Sequence, residues 1–134
     1  MSFDLSISPG SASPIFKQIV DQVRLALAAG RLSEGDPLPS VRAMAEKLLV
    51  NPNTVAKAYT ELAGDGTIET QPGRGVFVGR RRQVYTKAER LRRLKPHVDA
   101  LVTEGLLLGF SLEELIESVT VKAAELRPKK ERVP

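Results

Sequence analysis

Residues 38–66, LPSVRAMAEKLLVNPNTVAKAYTELAGDG, decide how this chain is read. In the first half Val41, Met44, Ala45 and Leu48 recur at i, i+3, i+4 and i+7, which places them on one face of a helix. Val55, Ala58, Tyr59 and Leu62 repeat that spacing in the second half. Between the stripes, Asn51 is a good N-cap, and Pro52 suits the first helical position because its missing N–H is no loss there. Gly64 or Gly66 suits the left-handed residue that closes a helix. Two short helices joined by a tight turn make a helix-turn-helix, whose second helix enters the DNA major groove. Asn53, Thr54 and Lys57 stand at the N-terminal end of that second helix, away from its apolar stripe. All three can hydrogen-bond to base edges or phosphates.

Outward from this pair the period changes. Thr67–Gln71 and Val76–Val78 alternate as strands, with Pro72-Gly73-Arg74-Gly75 as the bend, and a hairpin in that place is a wing. Gly73 and Gly75 let the backbone come close to a phosphate or a minor groove while Arg74 reaches in. Upstream, Pro14 opens a helix in which Ile15, Ile19, Val23 and Leu27, with Phe16, Val20 and Ala26 beside them, form a broad buried face. It ends at Ala29-Gly30, and 32–38 is a loop. Phe3, Leu5 and Ile7 alternate with Asp4 and Ser6, a short strand or extended arm.

Downstream, Leu91, Leu94, Val98, Leu101 and Leu108 follow steps of three and four, with Gly105 in the one missing slot, a coiled-coil-like seam. Pro96 predicts a kink or break near 93–95. Ser111 and Glu114 form a capping box for a last helix whose apolar side is Leu112, Leu115, Ile116, Val119, Ala123 and Leu126. Two helices of this size cannot cover both apolar faces on each other alone. Either the winged domain or a second chain covers them, and a reader of two-fold sites gains affinity by dimerising. The expected architecture is mostly α, within α+β. A winged helix-turn-helix occupies 1–79 (core 12–79), a helical dimerisation region 80–126 and a disordered tail 127–134. The dimerisation set is Leu91, Leu94, Val98, Leu101, Leu108, Leu112, Leu115, Ile116 and Val119.

Composition narrows the function. With no cysteine and one histidine in 134 residues, thiol chemistry, His-based metal sites and Ser-His-Asp catalysis are excluded. No cofactor and no metal are expected. No apolar run approaches the ~20 residues that span a bilayer, and Met-Ser-Phe-Asp-Leu is no signal peptide, so a cytoplasmic protein without membrane contact is expected. The net charge is +4, yet residues 1–80 carry eight basic and eight acidic side chains. The excess lies at 80–95, where Arg80, Arg81, Arg82, Lys87, Arg90, Arg92, Arg93 and Lys95 face one acid, Glu89. That cluster either neutralises phosphates, pairs with acids at the dimer interface, or is a solvated helix face.

Pro14-Ile15-Phe16-Lys17-Gln18-Ile19, Leu38 to Ala45, Val50-Asn51-Pro52-Asn53-Thr54-Val55 and Gly73-Arg74-Gly75-Val76-Phe77-Val78, in that order, resemble the GntR-family winged helix-turn-helix. The resemblance spans about residues 12–79. The Asn-Pro-Asn-Thr-Val form with a short two-helix tail is similar to the YtrA subfamily. It implies a bacterial transcriptional repressor, dimeric through its C-terminal helices, that often governs its own operon and frequently ABC-transporter genes. By motif position the family's DNA contacts fall on Arg42, Asn53 and Thr54, with Lys57 a turn further on and Gly73, Arg74 and Gly75 at the wing tip. Some members carry arginine where this chain has Pro52 and Ala56, so readout is expected to be shared by Asn51, Asn53 and Lys57. The rival to a DNA-binding regulator is a winged-helix module that binds protein. An aminotransferase-like fusion has no room here. A small-molecule effector stays open.

Overall fold

Pro14 supplies the extended backbone from which helix α1 (Ile15–Ala28) starts. Its spacing turns Ile19, Val20, Val23 and Ala26 inward. The helix closes through Gly30 at φ 80°, and the amides of Arg31 and Leu32 return to the Ala26 carbonyl. In the computed structural model, residues 5–80 and 85–126 are described, and they divide into two compact units.

In the first unit, α2 (Val41–Leu48) begins at Ser40, whose Oγ accepts the Ala43 amide at 3.0 Å. Helix α3 (Pro52–Gly64) begins at Asn51 and ends before Gly66, which holds φ 82°. The wing strands are β2 (Ile68–Gln71) and β3 (Gly75–Val78). The segment 32–38, expected as a loop, also contains a two-residue strand, β1 (Pro37–Leu38). It is too short to show a period of two. It exists because β3 offers a free edge, pairing Leu38 with Val76 and Pro37 with Phe77. The sheet order is β1-β3-β2, antiparallel throughout, with Ile68 opposite Val78.

The helices α1, α2 and α3 and this sheet enclose Ile19, Val23, Val55, Leu62 and Val78, all fully buried. Each such side chain contributes about 1.5–3 kcal/mol relative to exposure. Among the described residues before α1, 5–14, no strand forms; Phe3 lies outside the described residues. Its backbone is held by side chains instead: the Gln18 amide accepts from Ser8 N at 2.8 Å and donates to Ser8 O at 3.1 Å. Gln22, one turn on, holds both backbone groups of Ser6 in the same way. Leu5 and Ile7 thereby pack against the core.

In the second unit, Thr86 caps α4 (Lys87–Leu107), its Oγ1 accepting the Glu89 amide at 3.1 Å. Pro96 lies inside one continuous helix, so of the expected kink or break near 93–95 the break does not occur. Proline removes a single ladder bond, and a helix of 21 residues retains the others. Ion pairs before and across it, Arg93–Glu89 at 2.9 Å and Lys95–Asp99 at 2.8 Å, also favour the helix. The capping box at the start of α5 (Leu112–Leu126) is present, with Ser111 N to Glu114 at 2.8 Å and Glu114 N to Ser111 Oγ at 3.1 Å. A Cβ on Gly105 would fall on the Leu115 isobutyl group, so the missing slot in the seam is where α5 meets α4. Among the described residues of this unit, only Gly105 and Leu115 are buried. The tail 127–134 lies outside the described residues. Among the described residues, no helix is long and apolar enough to cross a membrane.

Candidate nucleic-acid interface

The start of α3 is built for rigidity. Asn51 Oδ1 accepts the Asn53 amide at 2.7 Å and the Asn51 carbonyl accepts the Thr54 amide at 2.9 Å. Asn51 therefore commits its oxygen to the cap and keeps its Nδ2 donors for a partner. Asn53 and Lys57 are exposed and Thr54 half-buried, while Val55, Ala58, Tyr59 and Leu62 on the opposite side are core. The Tyr59 hydroxyl donates to the Pro39 carbonyl at 2.7 Å, tying α3 to the residues that precede α2. Burial pushes the Tyr59 phenol up to about 12, so it stays a neutral donor.

Arg42 is exposed in the first turn of α2. With Ala45, Glu46, Leu49, Val50 and Pro52 it lines an open concavity of about 480 Å³ between α2 and the start of α3. Leu49, in the turn, holds φ 59° and ψ 46° and is 90% exposed. It is the one non-glycine residue at positive φ among those described. Nothing in its spacing signalled this conformation.

At the wing tip Gly73 and Gly75 take φ 76° and 126°, and the Arg74 amide bonds the Gln71 carbonyl at 2.8 Å. The Arg74 side chain is exposed, with its guanidinium carbon 5.8 Å from the Phe77 ring centre. The root of the wing is fixed by Asp65, which accepts from Thr67 N at 3.0 Å and Thr67 Oγ1 at 2.5 Å and pairs with Arg24 of α1. Phe16, expected in the buried face of the first helix, is only half-buried. Its ring lies 4.2 Å from the Lys57 ammonium.

The basic segment is less free than its sequence implies. Arg92 and Arg93 both pair with Glu89, Arg93 also lies 4.0 Å over the Tyr85 ring, and Lys95 pairs with Asp99. Lys87 and Arg90 carry no ion pair among the described residues; Arg81 and Arg82 lie outside them. Of the expected dimerisation set, Leu91, Leu94, Val98, Leu101, Leu108, Leu112, Ile116 and Val119 are exposed. Leu115 is not: it is 7% exposed, filling the notch at Gly105 within its own chain. Among the described residues no cluster of His, Asp or Glu could hold a metal.

An exposed polar row on a helix whose back is core, preceded by a capped helix and followed by a glycine-flanked arginine hairpin, is a winged helix-turn-helix DNA-binding domain. Residues 15–78 match the model of the bacterial regulatory proteins, gntR family. The HTH-type transcriptional repressor YtrA of Bacillus subtilis (strain 168) is 34% identical over 123 residues, covering 92% of this chain and 95% of that protein. The HTH-type regulator YhcF of the same organism is 39% identical over 114 residues, covering 81% and 89%. Among solved structures, a chain described as a transcriptional antiterminator from Listeria monocytogenes EGD-e has a TM-score of 0.82 at 28% identity, over 92% of each chain. YtrA from Sulfolobus acidocaldarius, a GntR-family transcription factor, has a TM-score of 0.57 at 38% identity, covering 72% of this chain and 97% of that one. This chain belongs to the GntR family of transcriptional regulators and is YtrA-like; its domain and these homologues are those of transcriptional regulators, not of enzymes.

Proposed function

We propose that the protein is a cytoplasmic repressor that binds a pseudo-palindromic operator as a homodimer and governs its own operon. The observation that carries this is the exposed row of Asn53, Thr54 and Lys57 on a helix pinned from behind by the core. Asn51, Asn53 and Lys57 read base edges and Arg42 and Thr54 hold phosphates, while Gly73, Arg74 and Gly75 approach the adjacent minor groove. Residues 1–79 form the DNA-binding domain. The helical region 80–126 supplies the second half-site's partner, because its leucines are exposed in a single chain.

Arg80 follows the wing, and Lys87 and Arg90 are free of ion pairs among the described residues, so these cations strengthen binding without adding sequence preference. In vitro selection from a random duplex library, followed by gel-shift titration of the recovered duplex and of the protein's own promoter, tests the reading. Asn53→Ala should cost about 1–3 kcal/mol and loosen preference at one base position. An equal loss on every sequence would make Asn53 a phosphate contact or a cap. Failure to select any duplex would favour the protein-binding alternative.

A further inference from the structure

We propose that Phe16 is a positioning residue for DNA binding, its ring holding the Lys57 ammonium on the exposed side of α3. The inference rests on the DNA-binding reading above. Lys57 carries a compact point charge on a flexible stem, and freezing it at a partner has an entropic cost. A support that orients it beforehand reduces that cost. Phe16 is well placed to be that support. It sits in the first turn of α1, three residues before the fully buried Ile19, and its side chain packs partly against the core. α1 and α3 pack directly on each other, so the ring cannot drift relative to the helix that carries Lys57.

The kind of support matters as much as its place. Arg24 is held by Asp65, and Arg92 and Arg93 share Glu89; the group that orients those cations also offsets positive charge, one carboxylate between the two guanidinium groups in the second case. Lys57 has no ion pair among the described residues and lies 4.2 Å above an aromatic face. An aromatic quadrupole attracts a cation without cancelling its charge. The ammonium is therefore oriented yet remains fully positive for a phosphate or a base acceptor. At the wing, Arg74 stands 5.8 Å from Phe77, a looser version of the same arrangement.

The test is a double-mutant cycle on the full-length protein, using the duplex recovered by in vitro selection with wild type. Phe16→Leu should weaken binding about three- to fivefold with the salt slope kept, because Lys57 is still present. Lys57→Ala should lower the salt slope or loosen one base position. In the Lys57→Ala background Phe16→Leu should cost nothing more. Phe16→Tyr, which keeps the ring, should retain wild-type affinity. In the free protein, the Lys57 Hε protons should show a ring-current shift that Phe16→Leu abolishes. If Phe16→Leu melts below the assay temperature, Phe16→Met replaces it in the cycle. Equal losses in both backgrounds, or no loss from Phe16→Leu, overturn the proposal and leave the DNA-binding reading intact. Wild-type binding by Lys57→Ala overturns the Lys57 contact itself, and the role of Phe16 with it.

Discussion

The winged unit and the two-helix unit carry comparable apolar stripes and dispose of them in opposite ways. In residues 5–80, fourteen hydrophobic side chains are buried in one cluster, so the unit closes on itself. In residues 85–126, Leu115 is the one buried hydrophobic side chain, and Leu91, Leu94, Val98, Leu101, Leu112, Ile116 and Val119 are exposed. The winged unit has a sheet and three helices to surround a core. A helical hairpin has only two surfaces, and here Leu115 against Gly105 is where they meet. The winged unit is closed around its own core, and the two-helix unit leaves its apolar side chains exposed, as the proposed dimer requires.

Four measurements would break or sharpen that contrast. Leu62→Ala, in a fully buried site, should destabilise the winged unit by about 2–5 kcal/mol. Denaturant midpoints for that loss should not depend on protein concentration. Leu101→Asp should instead act through association, weakening the proposed dimer by roughly 2–4 kcal/mol because a charge would enter an apolar contact. Analytical ultracentrifugation would show a monomer whose winged unit still melts normally; wild type monomeric at micromolar concentration would sink the dimer.

The third concerns pH. The Tyr59 phenol has its pKa raised from 10.0 to about 12 by burial, so its neutral form is favoured by folding. Stability from this group is complete below pH 10 and is lost as pH rises from 10 to 12, by roughly 2–3 kcal/mol. Tyr59→Phe should lack that component of alkaline loss while giving up about 1 kcal/mol at neutral pH with the Pro39 hydrogen bond. Equal alkaline profiles would contradict it. The smallest effect is Leu49→Gly. Left-handed backbone costs a leucine about 1–2 kcal/mol, and glycine gives back part of that in chain entropy. With the side chain 90% exposed, the exchange should raise stability by about 0.5–1 kcal/mol on thermal melting.

The sequence by itself determined whatever follows local rules. The periods of 3.6 in 15–28, 41–48 and 52–64, the caps at Asn51 and Ser111, and the glycines around Arg74 all act between residues a few positions apart. A cap or a stripe therefore reads the same in the chain as in the fold. Tertiary structure decided what depends on which surfaces meet. Leu38 became a strand because β3 lay beside it, and Ser6 and Ser8 found hydrogen bonds in two glutamines of α1. Leu115 left the outward set for the notch at Gly105, and Phe16, half-buried at the edge of the core, lies under Lys57. Neither partner in such a pair can be read from the spacing of the other, because their distance in the chain says nothing of their distance in space.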